Sequence, residues 1–234
     1  MKKIKVAVVG AAGKMGAEIL LRLKSDKDYI AFMAITKSGS LDGFQQTKTI
    51  ASAKLKMVDL VIDFSAPETA LQAAQLAAQA GTPFLSGTTG LSDPQMKELF
   101  SYGKKIPVFW SPNMSVGVAI FKKALRVFDG ADQFDYQVEE FHHNQKKDKP
   151  SGTAKMIQQE LERIVEKKLP PPIAVRGGGI FGVHKVYAMS SDEVICFEHQ
   201  ALGRRVFASG AMEVGKWLVK QPKGVYNMES YIND

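Results

Sequence analysis

The stretch IKVAVVGAAGKMGAEILLRL (Ile4–Leu23) decides the fold. Ile4–Val9 is a short β-branched run closed by Gly10, and beyond Met15 the residues Ile19, Leu20 and Leu23 recur at helical spacing. The pattern is strand, glycine-rich turn, helix. Gly10, Gly13 and Gly16 stand at GxxGxxG spacing. Such a turn lets backbone approach a ligand closely, and the unbonded N–H groups and positive dipole end of the helix behind it can hold a pyrophosphate. A ligand-free turn uses glycine too, so the trio gains meaning from its place at the first strand of a βαβ pattern. There it points to a dinucleotide.

Working outward, Tyr29–Thr36 reads as a second strand and Met57–Phe64 (MVDLVIDF) as a third, apolar enough to be buried on both faces. The alanine-rich 68–80 segment predicts the helix that crosses to a fourth strand, Thr82–Ser86. A helix at 94–102 and a strand Ile106–Ser111 follow. Strands alternating with helices at this spacing predict a Rossmann-like, doubly wound parallel sheet. After residue 115 the pattern changes. A helix over 116–128, a strand Phe134–His142 and a helix with Ile157, Leu161, Ile164 and Val165 on one face lead into Ile173–Gln200. That last region reads as antiparallel, with VHKVYAM and VICFEHQ joined by a turn at Ser190–Glu193. A helix at 210–219 and a tail marked by Gly and Pro close the chain. The expected organisation is an α/β first domain, residues 1–114, and an α+β second domain with a mixed or antiparallel sheet, residues 115–206.

The 234 residues, 45% hydrophobic and 24% charged, have ordinary globular composition, which argues against disorder. Lys and Arg outnumber Asp and Glu by 31 to 24. The resulting +7 suits nucleic acid, a membrane surface or an anionic small molecule. The basic residues are scattered, without a recognition helix or stacking sheet, so nucleic acid is not expected. No run approaches the roughly 20 apolar residues of a membrane span. The N-terminal lysines precede an apolar run, but Gly10, Gly13, Lys14 and Glu18 interrupt it where an export signal needs a continuous core. Cys196 is the single cysteine, which excludes an intrachain disulfide and a Cys-based zinc site. The expected location is the cytoplasm.

At the end of the second strand, where an NAD site carries an acidic residue, the sequence has Ile35-Thr36-Lys37-Ser38. A cation with two hydroxyls favours a 2′-phosphate, so NADPH is expected in preference to NADH. Ser86-Gly87-Thr88-Thr89-Gly90 and Ser111-Pro112-Asn113-Met114 close the fourth and fifth strands, at the edge where open α/β sheets bind ligands. The remaining conspicuous segment is EFHHNQKKDKPSGTA (Glu140–Ala154). Strand alternation sends His142 and His143 to opposite sides, so one of them is expected to meet a reacting atom. A lysine over the following helix N-terminus, with its amides and the hydroxyls of Ser151 and Thr153, could grip a carboxylate. His-His has no third ligand at a recognisable spacing, and no metal is expected.

This segment resembles the signature of the 4-hydroxy-tetrahydrodipicolinate (dihydrodipicolinate) reductase family. The resemblance extends in order through GAAGKMG, VDLVIDFSAPE, GTTG, SPNMSVGV, RGGGIFGVH and FASGA. It implies a cytoplasmic homotetramer of lysine and diaminopimelate synthesis that reduces a cyclic dicarboxylate with NAD(P)H. It further implies His142 as general acid/base, Lys146 as a second proton donor, and His143, Gly152 and Thr153 as substrate contacts. Gly10, Ala11, Ala12, Gly13, Lys14 and Met15 would line the cofactor. So would Gly87, Thr88, Thr89, Ser111, Pro112, Asn113 and Met114, with Lys37 near the adenosine ribose. The segment from about 207 to 234 would return to complete the first domain. Three departures stand out: Val183 where the family commonly has glutamate, Lys149 where it has alanine, and a short Pro170-Pro171-Pro172 connection. The alternatives are another two-domain NAD(P)-dependent amino-acid dehydrogenase and a non-enzymatic nucleotide-sensing protein.

Overall fold

The computed structural model describes residues 2–36, 41, 43–48 and 50–234. In chain order the elements are β1 (Ile4–Val9), α1 (Lys14–Ser25), β2 (Tyr29–Ile35), β3 (Gln46–Thr47), α2 (Ser52–Leu55), β4 (Leu60–Asp63) and α3 (Pro67–Ala80). Next come β5 (Phe84–Ser86), α4 (Asp93–Ser101), β6 (Pro107–Trp110), α5 (Val116–Ala124), β7 (Asp135–His142) and α6 (Gly152–Val165). The chain ends with β8 (Ile173–Arg176), β9 (Gly182–Met189), β10 (Val194–Ala201), α7 (Arg205–Leu218), β11 (Gly224–Tyr226) and α8 (Met228–Ile232). It divides into two compact units, Met1–Ser115 with Phe207–Asp234, and Val116–Val206.

The first unit is a parallel seven-stranded sheet in the order β11-β6-β5-β4-β1-β2-β3. All four residues of β4 and the last four of β1 are buried, as central strands covered on both faces require. From β1 the chain winds one way through β2 and β3, then the other way through β4, β5 and β6. The reversal between β1 and β4 is the switch point at whose carboxyl edge such sheets open a crevice. β4 begins at Leu60, later than the expected strand, because the N–H groups of Met57 and Val58 donate to Lys54 and Leu55 carbonyls and close α2. The last segment supplies β11, paired with β6, and much of α7, whose Gly215 lets Leu60 and the Tyr29 hydroxyl come so close that a Cβ there would lie 2.7 and 2.9 Å from them.

The second unit is a four-stranded sheet, β10-β9-β7-β8, with one face packed on α5 and α6. β7, β9 and β10 are antiparallel, and the turn at Ser190–Glu193 joins the last two. β8 departs from the expected antiparallel region, because it pairs parallel to β7. The physical reason is the long connection through α6, a crossover that returns the chain in its original direction. β7 alternates strictly, so Tyr136, Val138, Glu140 and His142 all face inward. The first two pack in the apolar core with Phe128, Ile157, Leu161 and Val186, and the last two extend that face as buried polar groups.

Candidate active site

In the first unit the crevice is built on the glycine turn. Gly10 has φ +75, and a Cβ there would lie 2.3 Å from the Phe64 carbonyl oxygen; one on Gly16 would lie 2.2 Å from that of Gly10. The N–H groups of Gly10 and Ala11 donate to Ile35 O, and that of Gly13 to Gly10 O. Gly13 is the N-cap of α1 and the Ala17 N–H makes the first bond back to Gly13 O, so the first-turn amides of Lys14, Met15 and Gly16 have no intrahelical partner. Beside them is a cavity of 620 Å³ lined by Gly10, Ala12, Thr36, Lys48, Ser65 and Gln72 among others. Its glycine floor and helix start, with Thr36, Lys48, Ser65, Thr69 and Gln72 set among the apolar Val9, Ile35, Ile50 and Phe64, fit a dinucleotide. Lys37 lies outside the described residues.

Asp63, fully buried at the end of β4, organises the next two loops. It accepts hydrogen bonds from the hydroxyls of Ser65 (2.5 Å), Ser86 (2.7 Å) and Thr88 (2.7 Å). Burial pushes its carboxyl above the usual range, against the pull of these hydroxyls. Thr88 also accepts the Ser65 N–H, and its carbonyl accepts the Trp110 indole N–H. Gly87 has no room for a Cβ beside the Phe64 ring, and Thr89 is exposed. In the following loop the Ser111 hydroxyl donates to Asn113 O, the Asn113 side chain accepts the Ser115 N–H, Met114 is buried and Pro112 is exposed.

In the second unit the polar group centres on Glu140, whose side chain has no exposed surface. Arg176 donates to it through both terminal nitrogens, at 2.9 and 2.8 Å, Ser151 through its backbone N–H at 3.1 Å, and His142 faces it through Nδ1. Burial alone would raise the Glu140 carboxyl; Arg176, His142 and the Ser151 amide outweigh it and hold the group below its ordinary value. His142 is held below the usual imidazole range by burial, opposed by Glu140 and reinforced by Lys146 and Arg176. A Cβ on Gly182 would stand 3.1 Å from His142 Nε2, so that glycine keeps the ring's place open.

The loop after β7 turns back with Lys146 N–H donating to His143 O, and Lys146 Nζ lies 2.9 Å from Asp148 Oδ1. His142 is buried and His143 half-buried, which separates the pair as strand alternation predicts. Ser151 is the N-cap of α6. Its hydroxyl is buried, accepts the Ala154 N–H and lies 3.3 Å from His184 Nε2. Gly152 is exposed and Thr153 half-buried at the start of the same helix. Burial pushes His184 down to about 4, and the neighbouring His142 adds to it. Among the described residues no group of three or more His, Cys, Asp or Glu is placed to hold a metal, and no helix is long and apolar enough to cross a membrane.

The family models for the N-terminus and C-terminus of dihydrodipicolinate reductase match residues 4–114 and 114–232. The chain belongs to the dihydrodipicolinate reductase family. A 4-hydroxy-tetrahydrodipicolinate reductase of Bdellovibrio bacteriovorus is 45% identical over 232 residues, covering 99% of this chain and 97% of that one. Another, from Oleidesulfovibrio alaskensis, is 34% identical over 257 residues, covering 98% and 99%. A dihydrodipicolinate reductase from Paenisporosarcina sp. TG-14, solved with dipicolinate bound, superposes with a TM-score of 0.84 at 20% identity, covering 98% of this chain and 99% of that one. An aspartate dehydrogenase from Thermotoga maritima shares the fold more loosely, with a TM-score of 0.53 at 12% identity over 94% of this chain and 98% of that one.

Glu140, Asp63 and Arg176 are among the residues of the two polar groups to which the sequence alone assigns no role. Glu140 was legible in principle, since the inward phase set by Tyr136 and Val138 includes it. Asp63 is the one carboxylate inside a fully buried strand, a signal of the same kind. Arg176 opens the RGGGIFGVH run that carries the resemblance, but nothing local reveals its partner, because that partnership depends on the parallel pairing of β8 with β7.

Proposed function

We propose that the chain reduces 4-hydroxy-tetrahydrodipicolinate to tetrahydrodipicolinate with a nicotinamide cofactor, in the synthesis of diaminopimelate and lysine. The observation that carries this is the family match over both units, from residue 4 to 232. The cofactor supplies the hydride. Residues 1–114, completed by about 207–234, form its domain, with Lys14, Met15 and Ala12 at the pyrophosphate and Gly87–Thr89 and Ser111–Met114 along its length. Residues 115–206 bind substrate. There His142 and Lys146 serve the proton, and His143 with the α6 N-terminus at Gly152 and Thr153 holds a carboxylate. A second carboxylate finds cationic company in the loop carrying Lys146, Lys147 and Lys149, which is where the +7 of the chain becomes useful.

NADPH is the preferred reductant. Lys37 and Lys48 support this, the latter lining the cavity beside Thr36, while the lining of that cavity includes no carboxylate among the described residues. The reductase acts as a homotetramer. Support comes from the outer face of the four-stranded sheet, where Ile173, Val175 and Val194 are exposed and Val183, in place of the family's usual glutamate, pairs with Phe141. The single cysteine suits a reducing cytoplasm.

The test is loss of NADPH absorbance on adding freshly generated substrate. Turnover inhibited competitively by pyridine-2,6-dicarboxylate is the expected result. Normal NADPH binding without turnover of this substrate would sink the assignment.

A further inference from the structure

We propose that Glu140 is a positioning residue that fixes the tautomer of His142, and that Arg176 anchors it together with the loop bearing Lys146. The inference rests on the reading of His142 as the proton-handling group. Four donors converge on the Glu140 carboxylate. Oε1 receives Arg176 Nη2 and the Ser151 N–H, while Oε2 receives Arg176 Nη1 and faces His142 Nδ1. An ionised carboxylate only accepts hydrogen bonds, so the ring nitrogen against it must carry a proton. His142 therefore presents Nε2 as the nitrogen that exchanges a proton with a ligand.

The arrangement also prepares for charge. When Nε2 takes up a proton, the imidazolium meets a carboxylate already oriented, and no dipole has to turn to receive it. Arg176 keeps that carboxylate ionised although it is fully buried, since a buried charge persists only when paired and hydrogen-bonded. The same guanidinium donates through Nε to Lys146 O at 3.2 Å and through Nη2 to Asp148 O, so it ties down the backbone on which the second proposed donor rides. Ser151, whose N–H ends on Glu140, begins α6. One ion pair thus locates the histidine ring, the lysine loop and the helix start.

The test uses full-length Glu140→Gln, Glu140→Gln/Arg176→Gln and His142→Gln. The double variant leaves no buried unpaired charge, so it remains informative if the single one unfolds. Ring-nitrogen NMR should show His142 as the Nδ1–H form in the parent protein and not held in that form in both Glu140 variants. Turnover in both should fall by about 100-fold or more, with NADPH affinity unchanged. The groups facing His142 are Glu140 on its own strand, Lys146 in the loop, Arg176 on β8 and His184 on β9, whose ring centroid lies 5.2 Å away. In Glu140→Gln the attracting carboxylate is gone while Lys146 and Arg176 still oppose protonation, so His142 should take up its proton at lower pH. A retained Nδ1–H form with an unmoved titration, or parental turnover in the Glu140 variants while His142→Gln is impaired, overturns the positioning role. Parental turnover in His142→Gln overturns the reading of His142 itself.

Discussion

At Lys48 the geometry adds a cation that the sequence did not single out for the cofactor. It lines the cavity with Thr36, beyond the end of β2, where a carboxylate would bond a ribose 2′-hydroxyl and repel a 2′-phosphate. The sequence pointed to Lys37 for that purpose, by its place after the second strand, and Lys48 could not be found that way because β3 is only two residues long. A charge-assisted hydrogen bond contributes about 1.5–3 kcal/mol. Lys48→Glu should therefore weaken NADPH by roughly 10- to 100-fold and change NADH far less. Fluorescence titration of each nucleotide measures both. Equal loss of the two would place Lys48 away from the phosphate.

Among the elements, α6 shows how far residue patterns carry. Its apolar stripe and its start after Pro150 were legible, because helical periodicity and capping residues are local signals. What the start is fastened to was not. By its place before Gly152 and Thr153, Ser151 is expected to meet substrate; in the structure its buried hydroxyl accepts the Ala154 N–H and meets His184 from β9. Non-local partners of this kind have no spacing to betray them, and the same holds for Arg176 and for β11. Loss of an N-cap costs about 1 kcal/mol, and an imidazole nitrogen left without its hydroxyl adds to that. Ser151→Ala should destabilise the protein by roughly 1–3 kcal/mol in urea. Ser151→Asn, which keeps a cap, should recover part of it. If Ser151→Ala instead raises KM with stability unchanged, the hydroxyl serves substrate rather than the helix.

For the whole molecule, the distribution of titratable groups predicts that acid acts unevenly on its two units. All four histidines lie in the second unit. Burial holds His184 down to about 4 and lowers His142 and His199 as well, whereas an unfolded histidine titrates near 6.5. Between those values the unfolded chain binds protons that the folded chain refuses, so stability falls as pH drops through this window. His184 alone accounts for about 3 kcal/mol across it. Glu140, whose carboxyl is lowered, adds a separate loss that begins as pH falls past its ordinary value of 4.5. Asp63 in the first unit behaves in the opposite sense. Burial raises it, so its contribution is complete in acid and is lost as pH rises through its folded value. Hydrogen exchange compared between about pH 7 and pH 4.5, corrected for intrinsic rates, should show amides of β7, β9 and β10 losing protection while those of β4 and β5 keep theirs. His184→Gln should restore part of the protection in the second unit. Loss beginning in the first unit, or a uniform loss unaffected by His184→Gln, would show that the buried histidines do not set the acid limit of the fold.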